Sequence, residues 1–140
     1  MGCGSDPLWA GKCTWFCCGN KWGPCKSAGK GACGTCHSDK LMGAWPYASK
    51  NCWDITRPDK CGEDLPKRGC GSEMKVKHNC SGESVCITIA DCGPRTKSFC
   101  GAKSCCGKTC RTNHVIDLTP AAFARIGNLD SGHVPVLIYE

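Results

Sequence analysis

Seventeen of the 140 residues are cysteine, and no other property of the chain narrows its possible folds as much. Cysteine at this density marks chains that replace part of a hydrophobic core with covalent staples or metal. The rest of the composition requires such a replacement. Leu, Ile, Val and Phe together number only twenty, a share at which a charged chain ordinarily stays unfolded. The length fits one domain, no apolar run is long enough for a transmembrane helix, and no fixed-period repeat is visible.

Disulfides form in oxidising compartments, so a secreted protein is expected, extracellular or in the cell wall. Met1–Asp6 lacks the apolar core of a signal peptide, so either a mature chain or one with an added initiator Met is expected. An odd cysteine count allows at most eight bridges and leaves one thiol over; Cys3, in the least patterned stretch, is the expected leftover. Cys17-Cys18 and Cys105-Cys106 should each feed two different bridges, since bonding neighbours to one another strains the geometry. Zinc is the rival explanation, but there is one CxxC (Cys33–Cys36) and the histidines, at 37, 78, 114 and 133, are scattered. Cys33-Gly34-Thr35-Cys36-His37 also matches the haem-attachment pattern, with no helical framework to enclose a haem. Neither metal nor cofactor is expected. Asn79-Cys80-Ser81 is a formal glycosylation sequon, discounted because Cys80 is expected to be cross-linked.

The chain reads as mainly β. Residues 1–40 suggest short strands tied by bridges, and 41–73 suggest loops. Met74, Val76 and His78 alternate with lysines, Asn79–Gly82 supplies a turn, and Val85, Ile87 and Ile89 alternate again. This is a β-hairpin ending at Asp91. A polar, cysteine-rich loop follows from Cys92 to Asn113. Val115-Ile116 is a short buried strand. Thr119 as N-cap, Pro120 in the first turn and Gly127 at the far end then frame a helix. Val134, Val136 and Ile138 form a last strand, with Pro135 at an edge or strand start.

Asp91-Cys92-Gly93-Pro94 and His114-Val115-Ile116-Asp117-Leu118-Thr119-Pro120, taken together, resemble the double-psi β-barrel of RlpA-like proteins and of the expansin N-terminal domain. Thr14-Trp15-Phe16 and Gly31-Ala32-Cys33-Gly34 are similar to expansin motifs, and Gly132–Tyr139 to their closing strand. The resemblance implies a disulfide-rich, six-stranded double-psi barrel over residues 13–140, after an N-terminal extension of 1–12, with a surface groove for cell-wall polysaccharide. In that picture Asp117 and Asp91 are the catalytic candidates. Two neighbouring carboxylates do not ionise independently, so one of them could act as an acid toward a glycosidic oxygen. The dipole of the helix after Asp117 would oppose this, and the plainer reading is that both Asp residues cap turns.

Departures from the family pattern matter here. Related small endoglucanases carry a base Asp just before a Cys-Cys pair, where this chain has Phe16. Expansins place an aromatic residue close after the first Asp, where this chain has Cys92 and Gly93. Expansins also carry a second domain, so single-domain loosenin-like and barwin-like proteins compare better. The expectation is therefore a non-hydrolytic protein that binds or loosens cell-wall polysaccharide (cellulose, peptidoglycan, chitin or pectin). The alternatives are a glycan-cleaving enzyme, with His114 or His37 assisting, and a defence protein or protease inhibitor on the same barrel. Five tryptophans suit sugar stacking, and Thr14, Trp15, Phe16, Trp45, Tyr47, Trp53 and His114 are the expected binding residues. A net charge of +6 favours anionic polymers, and Lys97, Lys103, Lys108 and Arg111 cluster in the long loop. No nucleic acid or membrane partner is expected, and the protein should be a monomer.

Overall fold

A computed structural model describes residues 3, 7–27, 29, 31–49, 52–56, 65–94 and 114–140. The elements in chain order are β1 (Pro7–Trp15), β2 (Met42–Trp45), α1 (Trp53–Thr56), β3 (Glu73–His78), β4 (Ser84–Cys92), β5 (His114–Leu118), α2 (Pro120–Phe123), a 3-10 turn (Leu129–Ser131) and β6 (His133–Tyr139). The six strands close into a barrel in the order β1-β5-β2-β4-β3-β6. Two neighbouring pairs, β1 with β5 and β2 with β4, run parallel; the other four are antiparallel. Parallel neighbours need long crossovers, and these bring early and late parts of the chain side by side.

Alternation sets the core. Met74, Val76, Val85, Ile87, Ile89, Val134, Val136 and Ile138 all point inward and are buried, as the sequence period requires. β2 falls in the segment expected to be loop. It lies between β4 and β5, and its Gly43, Ala44 and Trp45 are all buried, so it shows no alternating signature. Pro135 is not at a sheet edge, because β6 pairs on both sides; it sits near the strand start, beyond the end of the β3 ladder. β1 begins at Pro7, inside the stretch expected to be an extension. Among the described residues no helix is long and apolar enough to cross a membrane.

Five disulfides join described residues: Cys3–Cys86, Cys17–Cys25, Cys18–Cys36, Cys33–Cys70 and Cys52–Cys92. The adjacent pair Cys17-Cys18 does feed two bridges. Cys33 and Cys36 bond elsewhere in the chain, which uses both sulfurs of the CxxCH pattern. Cys3 is paired, contrary to expectation; the free thiols among the described residues are Cys13, buried, and Cys80, exposed. Cys80 is not cross-linked as expected. Cys105-Cys106 and the basic cluster of Lys97, Lys103, Lys108 and Arg111 lie outside the described residues.

Candidate functional site

The site is made by an irregularity in β5. Along the parallel β1–β5 ladder Lys12 faces His114, but the next residue, Cys13, faces Ile116, and Thr14 then faces Asp117. Val115 is thus an extra residue, a β-bulge, and both Val115 and Ile116 are buried. In a regular strand residues three apart point to opposite faces. The bulge cancels that half-turn and puts His114 and Asp117 on one side, where both meet Thr14.

The three side chains form a closed set. The Thr14 hydroxyl donates to Asp117 Oδ1, His114 Nε2 lies 2.7 Å from Thr14 Oγ1, and Nε2 lies 2.5 Å from Asp117 Oδ1. Thr14 gives its single proton to the carboxylate, so its oxygen accepts from Nε2–H, and that N–H is shared between hydroxyl and carboxylate. The side chains of His114 and Asp117 keep 18% and 17% of their surface exposed, so a ligand can reach them. Asp117 Oδ2 faces Gly93: a side-chain carbon added at Gly93 would sit 3.3 Å from it. Gly93 therefore leaves room at the carboxylate, and it links the two aspartate motifs in space.

Asp91 repeats the same local design with a different outcome. On the parallel β2–β4 ladder Gly43 faces Ile89 and Ala44 faces Asp91, so Ala90 is the extra residue. The bulge again precedes the aspartate, here by one residue where Val115 precedes Asp117 by two. However, Ala44 stands where the other ladder has Thr14, and it offers no hydroxyl. Asp91 Oδ1 instead accepts from the backbone N–H groups of Ala32 and Cys92, each at 2.7 Å. Asp91 is thus a turn-capping residue that holds the Gly31–Gly34 loop against the barrel. Gly31, at φ +79°, passes so close that an added Cβ would meet Ala90 O at 2.8 Å. The two carboxylates are not a hydrogen-bonded pair.

The aromatic candidates divide. Trp45 is fully buried and its indole donates to Pro66 O at 2.8 Å; this corrects its assignment to the groove, because no ring face is left for a sugar. Trp15 is half-buried, with its indole donating to Leu129 O at 3.0 Å. Phe16 packs beside Cys18, Cys36 and Ala90. Tyr47 and Trp53 form a tilted ring pair with centroids 5.2 Å apart, and both stay partly exposed. The Cys52–Cys92 bridge ties the Trp53 helix to the residue after Asp91.

Gly93, Lys12 and His133, none of them a candidate from the sequence, border this set: Gly93 at the Asp117 carboxylate, Lys12 facing His114 and His133 facing Thr14. Period 2 would have placed Lys12 on the Thr14 face, and His133 on the outward face, opposite the buried Val134 and Val136. Burial and the neighbouring Asp117 charge push the Cys13 thiol pKa well up, so Cys13 supports the site as a neutral, packed group.

Comparisons with known proteins bear on the family and the fold. A double-psi β-barrel family model described as "Lytic transglycolase" matches residues 4–138. Among solved structures, the Streptomyces papain inhibitor is similar over 96% of this chain and 97% of its own, at 25% identity and a TM-score of 0.52. A point mutant of Clavibacter michiganensis expansin, in complex with cellohexaose, matches 92% of this chain and 48% of its own, at 17% identity and a TM-score of 0.44. No curated protein matches.

Proposed function

The chain belongs to the RlpA-like double-psi β-barrel family described as lytic transglycolase, and from that premise we propose that it is a secreted protein that binds and loosens cell-wall polysaccharide without hydrolysing it. The observation that carries this reading is the convergence of Thr14, His114 and Asp117 on an open face of the barrel. A hydroxyl, an imidazole and a carboxylate can together give and accept hydrogen bonds with sugar hydroxyls. Tyr47 and Trp53 supply aromatic faces for ring stacking.

Hydrolysis with inversion needs a second carboxylate to activate water across the sugar ring. Asp91 has an oxygen committed to two backbone amides, and Phe16 stands where related endoglucanases have a base. This supports binding over hydrolysis. A cleaving reaction in which the sugar's own hydroxyl displaces the leaving group needs only one acid–base group. The contact of His114 with Asp117 and the family's description favour that as the second reading. The near end-to-end similarity to a papain inhibitor favours a third, cysteine-protease inhibition by the rigid scaffold.

The test is co-sedimentation of the protein and its Asp117→Asn variant with cellulose, peptidoglycan and chitin, together with assay of released sugar ends. The expected result is binding of the unaltered protein to at least one polymer, with no soluble ends. Binding by the variant should be about tenfold weaker, as loss of a charged hydrogen bond predicts. Soluble products that depend on Asp117 would establish cleavage instead. Failure to bind any polymer, combined with inhibition of papain, would establish the inhibitor reading.

A further inference from the structure

A cavity of about 390 Å³ opens on the outer face of the barrel, lined by Ala10, Gly11, Lys12, Asn79, His133 and Pro135 among others. It adjoins the Thr14–His114–Asp117 set through the ladders themselves. Lys12 faces His114 across β1–β5, and His133 faces Thr14 across β1–β6. Lys12 and Thr14 are two residues apart on one strand face, about 7 Å along it. The separation is on the scale of one sugar ring to the next.

The lining has a definite chemistry. Ala10, Gly11 and Pro135 give an apolar floor, Asn79 and His133 bring hydrogen-bonding groups, and Lys12 brings a positive charge. No carboxylate lines the cavity, and Lys12 has no ion-pair partner among the described residues. An ammonium on an apolar wall suits a ring that carries a negative substituent. We propose that this cavity is a second subsite, continuous with the first, which receives a sugar bearing a carboxylate, as in a uronic acid, through Lys12 with His133 and Asn79 beside it. The inference rests on the glycan reading above and narrows its substrate class to acidic polysaccharide.

The test compares binding of the protein to polygalacturonate and to its fully methyl-esterified form, in which the backbone is the same and the charge is gone. The expected result is roughly tenfold tighter binding to the free acid, the gain of one charge-assisted hydrogen bond. Lys12→Gln should abolish that preference, so that the variant binds the free acid and the methyl ester alike. Lys67→Gln removes an equal charge at an exposed position outside the cavity and should preserve the preference. A preference that survives Lys12→Gln, or that Lys67→Gln removes equally, would overturn the subsite, and so would equal binding of both polymers by the unaltered protein. Binding to neither these polymers nor cellulose, peptidoglycan and chitin would instead overturn the glycan reading itself.

Discussion

Cys13 precedes Thr14 and is fully buried, with Asp117 close enough for its charge to oppose thiolate formation. Both influences keep the folded-state thiol protonated above the range where a thiol in the unfolded chain ionises. The unfolded chain therefore binds fewer protons there, and stability falls as pH rises past the ordinary thiol range. We expect the urea midpoint to drop further between pH 7 and pH 9.5 in the unaltered protein than in Cys13→Ala. Iodoacetamide should label Cys80 in the folded protein and Cys13 only after unfolding, read by peptide mapping. Asp91 invites a different experiment. Asp91→Ala leaves the Ala32 and Cys92 amides without their acceptor and should cost about 1–3 kcal/mol in thermal unfolding. Asp91→Asn keeps an acceptor oxygen and should recover most of that stability along with glycan binding. A catalytic acid would not tolerate the same change.

Bulges before each aspartate set what β4 and β5 can do, and they explain which parts of the site were legible beforehand. The hairpin of β3 and β4 and the last strand were readable because each has one buried face and so alternates. The Asp91 and Asp117 motifs were readable from their residue types. The bulges were not, since Val115-Ile116 and Ile89-Ala90 read simply as apolar pairs, and only strand pairing reveals the extra residue. β2 was hidden for a related reason, being buried on both faces. Trp45 was misplaced because a tryptophan in the core and one in a groove look alike in a sequence. The helix after Asp117 was legible through its N-cap, although it ends at Phe123 and not at Gly127; the cap proves to do more than start a helix. Thr119 Oγ1 accepts from the amides of Ala122 and Met42 and donates to Lys40 O at 2.5 Å, so it fastens α2 to the start of β2. Thr119→Ala should lower stability by about 1–2 kcal/mol, at the upper end for a cap, as measured by denaturant unfolding. The change should also loosen the pairing of β2 with β5, which carries Asp117, and weaken glycan binding with it.

Across the whole molecule the disulfides reach the site from several directions. Cys33–Cys70 anchors the loop that Asp91 holds, Cys52–Cys92 anchors the residue after Asp91, and Cys18–Cys36 packs beneath Phe16 and Ala90. Constraining the unfolded chain, a bridge typically adds about 2–4 kcal/mol, more for longer loops. Cys33–Cys70 closes 37 residues and Cys17–Cys25 only 8. The double variant Cys33→Ala/Cys70→Ala should therefore lose more stability than Cys17→Ala/Cys25→Ala, by roughly 1 kcal/mol on loop length alone. Glycan binding at a temperature where both variants remain folded adds a second readout. If the bridges serve only as substitutes for a core, both variants should bind like the unaltered protein. If they also fix the Gly31–Gly34 loop against Asp91, the Cys33→Ala/Cys70→Ala variant alone should bind more weakly. The second outcome is expected, because among the described residues two hydrogen bonds otherwise hold the loop to the barrel: Ala32 N to the Asp91 carboxylate and Cys33 N to Ala90 O at 3.2 Å. Two hydrogen bonds at a partly exposed position are worth only about 1–3 kcal/mol together. Without the bridge, thermal motion would open the loop, and the strand end next to Gly93 would lose its fixed distance from Asp117.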